Sequence, residues 1–249
     1  GEALKTAGVR LLVPIRAGYI DRVVSEGRSA EDDLVAQSLQ DIALYQKETM
    51  GGAATVVGYS NGGSIALKFA ALFPDLVSQL VIVSINSSQG TERSLSFVGK
   101  FFNGIQYFAN RPGVLRYLTW QFKKYYTDEQ TVTRILRKIF AASKTDTDLI
   151  DGNGGIPPIY KWFIHMFQHS IPGIADDFNY VMGDWQNDLA QIASDVRFIH
   201  GTEDNLVDIE TLKPLVGNKS KSTLDPIVGG GHHILTSHSS EIWKTILRP

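Results

Sequence analysis

The strongest constraint on this chain's fold is a pair of uninterrupted runs of β-branched and aliphatic residues, Thr55-Val56-Val57 and Leu80-Val81-Ile82-Val83. A strand with one wet face alternates apolar and polar residues. A strand without that alternation needs cover on both faces, the condition of parallel strands sandwiched between helices. The surrounding pattern agrees: Val9 to Pro14 reads as a strand, Ala30 to Met50 as a helix, Ala54 to Tyr59 as a strand, Gly62 to Phe73 as a helix and Gln79 to Ile85 as a strand. The C-terminal stretch repeats the theme. Val196 to His200 and Ser222 to Val228 read as strands, Ile209 to Val216 and His233 to Leu247 as helices. Residues 1–88 and 183–249 are therefore expected to build one mostly parallel α/β sheet flanked by helices.

Residues 89–182 have a different texture, with helical patterns broken at Pro112, at Gly152 to Pro158 and at Pro172, and no strand alternation. This block holds 17 of the 25 aromatic residues, among them Phe101, Phe102, Tyr107, Phe108, Trp120, Tyr125, Tyr126, Trp162, Phe163 and Phe167. A helical subdomain needs a core of its own, which accounts for most of these rings. Some are also expected to face the sheet and wall an apolar ligand pocket.

Composition narrows the function classes. The 249 residues carry a formal net charge of −2, too little positive field for a general nucleic-acid binder. The absence of cysteine removes disulfides, thiolate catalysis and sulfur-ligated zinc. Apolar runs fall far short of the roughly 18 residues of a membrane span, so a soluble protein is expected. The cytoplasm is the compartment assumed, with a targeting segment upstream of Gly1 left open.

Chemistry concentrates in Gly58-Tyr59-Ser60-Asn61-Gly62, between an expected buried strand and a helix whose apolar face ends at Pro74. This G-x-S-x-G pattern is that of a nucleophile elbow: small residues let strand and helix approach closely, and the serine projects from strained backbone at the strand end. The Asn61 backbone N–H, at the positive end of the following helix, is expected to form half of an oxyanion hole. A serine hydroxyl is a poor nucleophile until a base takes its proton. Two later strand ends supply the groups: Gly201-Thr202-Glu203-Asp204 and Gly229-Gly230-Gly231-His232-His233. Asp204 is the expected acid, Asp208 being better explained as a helix N-cap. His232 and His233 compete as the base. His238 reads as an exposed helix residue, and His200 as the end of a buried strand. His165 and His169, spaced i, i+4, lack the glutamate of a zinc protease because Met166 stands there, and read as core or pocket packing.

The order Ser60, Asp204, His232 and the His-Gly-x-x-Asp and Gly-His segments resemble the α/β-hydrolase superfamily over essentially the whole length. Trp185, Leu189 and Ile192, leading into the acid strand, are also similar to many members. The resemblance implies that His232, directly after glycine, is the base and that residues 89–182 occupy the place of the family's lid. It further implies a serine esterase or lipase-like hydrolase that acts on a small-molecule carboxylic ester, with an amide or thioester as the alternatives, and needs no metal or organic cofactor. The serine argues against the family's dehalogenases and epoxide hydrolases, which use aspartate there. A His-Gly loop donating the second oxyanion N–H, and the strands before it, have no counterpart in the chain, so the N-terminus reads as incomplete and Val9 to Val13 is expected to lack its partner strand and to shift inward, fray or pair with another chain. Pro14-x-Arg16-x-Gly18-Tyr19 matches the family's loop, whereas Ile20 and Arg22 depart from it. The competing function is a ligand-binding or regulatory domain that keeps the fold without turnover. A dehydrogenase is excluded by the lack of G-x-G-x-x-G.

Overall fold

The computed structural model describes residues 8–16, 19, 34–85, 117, 120, 121, 124, 125, 128–152, 159–169, 173, 177, 185–217, 219 and 221–247. Its described elements are α1 (Leu34–Met50), β1 (Ala54–Tyr59), α2 (Asn61–Leu72), β2 (Val77–Val83), α3 (Glu129–Ile139), α4 (Lys144–Ile150), α5 (Tyr160–His169), α6 (Trp185–Gln191), β3 (Val196–Gly201), α7 (Ile209–Gly217), β4 (Ser222–Ile227), α8 (Ile234–Ser237) and α9 (Ser239–Ile246). The strands form one sheet in the order β1-β2-β3-β4, every neighbouring pair parallel.

Successive residues of the apolar runs serve opposite faces, which explains why no polar residue interrupts them. Leu80, Ile82, Val196 and Phe198 pack with α1, α2, α6 and α7 on one face, around Leu39, Leu67, Phe69, Trp185 and Leu212. Val81, Val83, Ile199 and Ile227 pack on the other, against Ile234, Ile242 and Ile246 of α8 and α9. Leu80 through Val83 are fully buried, each contributing roughly 1.5–3 kcal/mol of transfer free energy. Trp185, Leu189 and Ile192 all enter the first core. The α1 stripe Val35, Leu39, Ala43 is buried at helical spacing. Its buried Gln46 is satisfied by donating from Nε2 to the carbonyls of Leu76 (2.7 Å) and Gly52 (3.1 Å).

The described part of the middle block is helical and has its own small core of Val132, Leu136, Ile139, Phe140 and Ile150, with Phe163 and Ile164 from α5 packed against it. Leu206 of the sheet domain also packs there, so this core is continuous with the rest. Residues 89–116, with Phe101, Phe102, Tyr107 and Phe108, lie outside the described residues, as do Tyr126, Gly18, Ile20, Arg22 and residues 30–33 of the expected first helix.

Four expectations are corrected. Val9 to Pro14 is no strand: its backbone joins no ladder and its apolar side chains face outward, Leu11 56% and Val13 71% exposed. Among the described residues no strand lies beyond β1, and no described strand offers this segment a ladder. The single closing helix expected over His233 to Leu247 is two, broken at His238, which is half-buried and binds Ser237 Oγ through Nδ1 at 2.8 Å instead of lying exposed on a helix face. His165 is exposed and its ring lies tilted 4.7 Å from that of the half-buried His169, so of the expected core or pocket packing the core reading is overturned. The loop after the N-terminal segment is held by a buried fork: Arg16 donates to both carboxylate oxygens of Asp177 (2.6 and 2.5 Å), and Tyr19 OH donates to Oδ2 at 2.6 Å. No helix among the described residues is long and apolar enough to cross a membrane.

Candidate active site

The site begins at the junction of β1 and α2. Ser60 has φ 52° and ψ −124°, a left-handed conformation that costs a serine on the order of 1–3 kcal/mol. Its neighbours over-determine it: Ser60 N–H donates to the Val83 carbonyl (3.0 Å), and its own carbonyl accepts from Gly63 N–H (2.9 Å). Gly58 has to be glycine, since a Cβ there would sit 2.6 Å from the Gly62 oxygen and 2.7 Å from Ala66 Cβ. The sharp turn leaves the hydroxyl at the C-terminal rim of the sheet. Asn61, next in sequence, opens α2.

The loops that carry Asp204 and His232 leave β3 and β4 side by side. They are joined by hydrogen bonds from Thr202 N–H to the Ile227 carbonyl (3.0 Å), from Glu203 N–H to the Gly230 carbonyl (2.8 Å) and from Gly229 N–H to Thr202 Oγ1 (2.9 Å). Gly201 is the close-approach point: a Cβ there would fall on the backbone of Gly230 and Gly231. Asp204 is fixed by its own loop, with Oδ1 accepting from the N–H groups of Leu206 (2.9 Å) and Val207 (3.1 Å). Its Oδ2 accepts from His232 Nδ1 at 2.8 Å, and His232 Nε2 lies 2.9 Å from Ser60 Oγ. A carboxylate only accepts, so Nδ1 carries the imidazole proton and Nε2 is left to accept the serine proton. The three side chains are brought into one line. Asp208 Oδ1 instead accepts from Glu210 N–H (3.0 Å), the local capping role.

Burial opposes charge throughout this site, and neighbours decide the outcome. Burial pushes the Asp204 carboxyl up, but His232 and His200 beside it hold it well below the usual carboxylate range. Burial pushes the His232 imidazolium down, and the nearby charges of Asp204 and Asp146 outweigh it, so its pKa is raised above 6.5. For His233 the Asp204 charge compensates too little. Its burial, with the neighbouring His232 charge, lowers its pKa to about 3. It touches Tyr59 OH through Nδ1 (2.5 Å) and does not reach Ser60. Burial also raises the Tyr59 phenol well above 10, with Asp146 and Asp204 adding to the shift, so it stays neutral.

Four participants were not legible as site residues. His200 Nε2 donates to the Val207 carbonyl (2.9 Å) and lies 3.2 Å from Asp204 Oδ2, against the Asp204 carboxylate. Its signal was the His-Gly pair ending a strand four residues before the acid. Tyr59, inside the elbow motif, contacts both histidines. Phe140 stacks 6.3 Å from His232 and packs 4.6 Å from His233, with Phe163 6.1 Å from His233. Some aromatics of the middle block thus do reach the sheet rim, whereas Trp120, Tyr125 and Trp162 are exposed. The fourth is Asp146, fully buried, whose oxygens accept from the backbone N–H groups of His232 (2.7 Å) and His233 (2.9 Å). Among the described residues no cluster of three or more carboxylates and imidazoles is arranged to hold a metal ion.

Residues 24–239 match the sequence family described as alpha/beta hydrolase fold, and the chain belongs to that family. No curated protein matches it. Solved structures with the same fold include a bromoperoxidase from Bacillus anthracis (18% identity, TM-score 0.60, 93% of this chain and 78% of that one). They also include a meta-cleavage product hydrolase from Pseudomonas fluorescens (16%, 0.61, 93% and 75%) and an esterase from Exiguobacterium antarcticum (18%, 0.57, 93% and 78%).

Proposed function

We propose that this chain is a serine hydrolase that cleaves a carboxylic ester with an apolar acyl or alcohol group, through an acyl-enzyme on Ser60. The observation that carries the reading is the continuous relay from Ser60 Oγ to His232 Nε2 (2.9 Å) and from His232 Nδ1 to Asp204 Oδ2 (2.8 Å). Ser60 Oγ attacks the ester carbonyl carbon as its proton passes to His232 Nε2. Asp204 keeps Nδ1 protonated and stabilises the imidazolium that forms. Negative charge developing on the carbonyl oxygen is met by the Asn61 backbone N–H and the positive end of α2. The imidazolium then gives its proton to the departing alcohol. In the second half His232 takes a proton from water, whose oxygen attacks the acyl carbon, and returns it to Ser60 as the acid leaves.

Residues 89–182 are read as the cap over this rim, with Phe140 and Phe163 as part of the apolar wall that favours ester groups of the same character. A fluorophosphonate probe and a short p-nitrophenyl ester test the reading. Covalent labelling and hydrolysis are expected in the wild type, none in Ser60→Ala, and strongly weakened reaction in His232→Ala. A well-folded wild type that takes no probe and turns over no ester sinks the enzyme reading in favour of a binding domain.

A further inference from the structure

We propose that Asp146 is a positioning residue for His232, a second buried carboxylate through which the middle helical block holds and polarises the base. Its sequence setting hides this. Ser143-Lys144-Thr145-Asp146 reads as a capping box, in which the acidic residue at the third helical position returns to the N-cap N–H. Ser143 is indeed the N-cap of α4, with Oγ accepting from Asp146 N–H at 3.2 Å. Its own N–H, however, donates to the Phe140 carbonyl (3.1 Å), so the Asp146 carboxylate is not needed there. It reaches across 86 residues of sequence to the N–H groups of His232 and His233 instead. Thr145 Oγ1 supports the same contact, accepting from Gly231 N–H (3.0 Å) and donating to the Gly229 carbonyl (3.3 Å). Gly231 leaves the passage open, because a Cβ there would fall on Ser143 Oγ and the Asp146 carboxylate.

Two consequences separate this role from plain anchoring. The backbone that carries the imidazole is fixed by a charged acceptor, so its orientation toward Ser60 depends on the block. A buried negative charge beside the ring also favours the imidazolium formed in the proposed reaction. Among the described residues, the titratable groups around His232 are Asp204 after β3, Asp146 on α4, Tyr59 at the end of β1 and its own neighbour His233. The last two stay neutral through burial, which leaves the two carboxylates to set the ring's charge preference.

The activity arm of the test rests on the ester-hydrolase reading, and the titration arm does not. In the 249-residue chain carrying Asp146→Asn, the His232 imidazole followed by NMR is expected to titrate at lower pH than in the wild type. Hydrolysis of p-nitrophenyl butyrate is expected to lose on the order of tenfold in kcat, with KM within about twofold. Thr145→Val, which removes hydrogen bonds of the same contact but no charge, is expected to leave the titration midpoint in place. An unchanged midpoint in Asp146→Asn overturns the proposal, and so does an equal shift in Thr145→Val. If the wild type neither hydrolyses esters nor takes the fluorophosphonate while the Asp146→Asn midpoint still falls, the hydrolase reading fails and the positioning role stands. Should Asp146→Asn not fold, Gly231→Ala displaces the carboxylate from the loop's side, with the same downward shift expected and an unchanged midpoint refuting.

Discussion

His233 gives the chain a measurable weakness in acid. In the folded protein its pKa is lowered from 6.5 to about 3, because the ring is buried against Phe140 and Phe163 and faces His232. Below pH 6.5 the unfolded chain binds a proton here that the folded chain refuses. This contribution to stability is therefore complete above 6.5 and is lost as pH falls toward 3. Between about pH 7.5 and about pH 5 the linkage relation gives a loss of about 2 kcal/mol from this one residue, out of a total of roughly 5–15 kcal/mol for a typical domain. His232 works in the opposite sense, since its raised pKa makes protonation favour the folded state. The wild-type curve alone is consequently a partial cancellation, and the informative quantity is a difference between proteins. His233→Leu forfeits the Tyr59 contact at every pH but has nothing to protonate at this position. Urea unfolding followed by tryptophan fluorescence at both pH values is expected to show the wild type losing about 2 kcal/mol more than the variant. Parallel losses in the two proteins would refute the argument that the buried ring is kept neutral by the fold.

Further outcomes follow from the same geometry. Asp204→Asn is expected to keep the fold and lower kcat on the order of a thousand- to ten-thousand-fold, because an amide no longer enforces the Nδ1–H tautomer; steady-state ester hydrolysis checks it. The rate against pH should rise through a midpoint above 6.5, where His232 loses its proton and becomes a base, and a limb centred clearly below that value contradicts the shift assigned to its carboxylate neighbours. Gly58→Ala forces a methyl to within 2.7 Å of Ala66 Cβ and Gly63 Cα, and is expected to cost at least about 1–3 kcal/mol, read as a lowered Tm, with fluorophosphonate labelling of Ser60 reduced.

How much of this could be read beforehand differs element by element. The central strands β2 and β3 were legible because burial on both faces erases alternation, leaving runs such as Leu80 to Val83 with no competing explanation, whereas the half-exposed edge strands β1 and β4 were legible from their β-branched residues and the turn residues that bound them. The positions of Ser60, Asp204 and His232 were legible because each sits at a strand end beside glycines that close approach demands. The choice between His232 and His233 was open on the residues alone, since adjacent side chains in a loop diverge and only the fold says which one meets Asp204. Val9 to Pro14 carries strand composition, but a strand needs a neighbour, and pairing is a property of the sheet and not of the segment. Asp146 was invisible for the opposite reason: Ser-x-x-Asp already had a sufficient local meaning at the start of α4. Nothing in its spacing points to a loop 86 residues away.

The stitching between the loops after β3 and β4 limits how this site can go wrong. With Thr202, Glu203 and Gly229 tying one loop to the other, Asp204 and His232 travel as the two halves of a single jaw. Ser60 stands on a separate anvil, set by the Gly58 turn and the Val83 carbonyl. Loosening of the molecule by heat, denaturant or substitution should therefore open the gap between jaw and anvil well before the imidazole and its carboxylate part company.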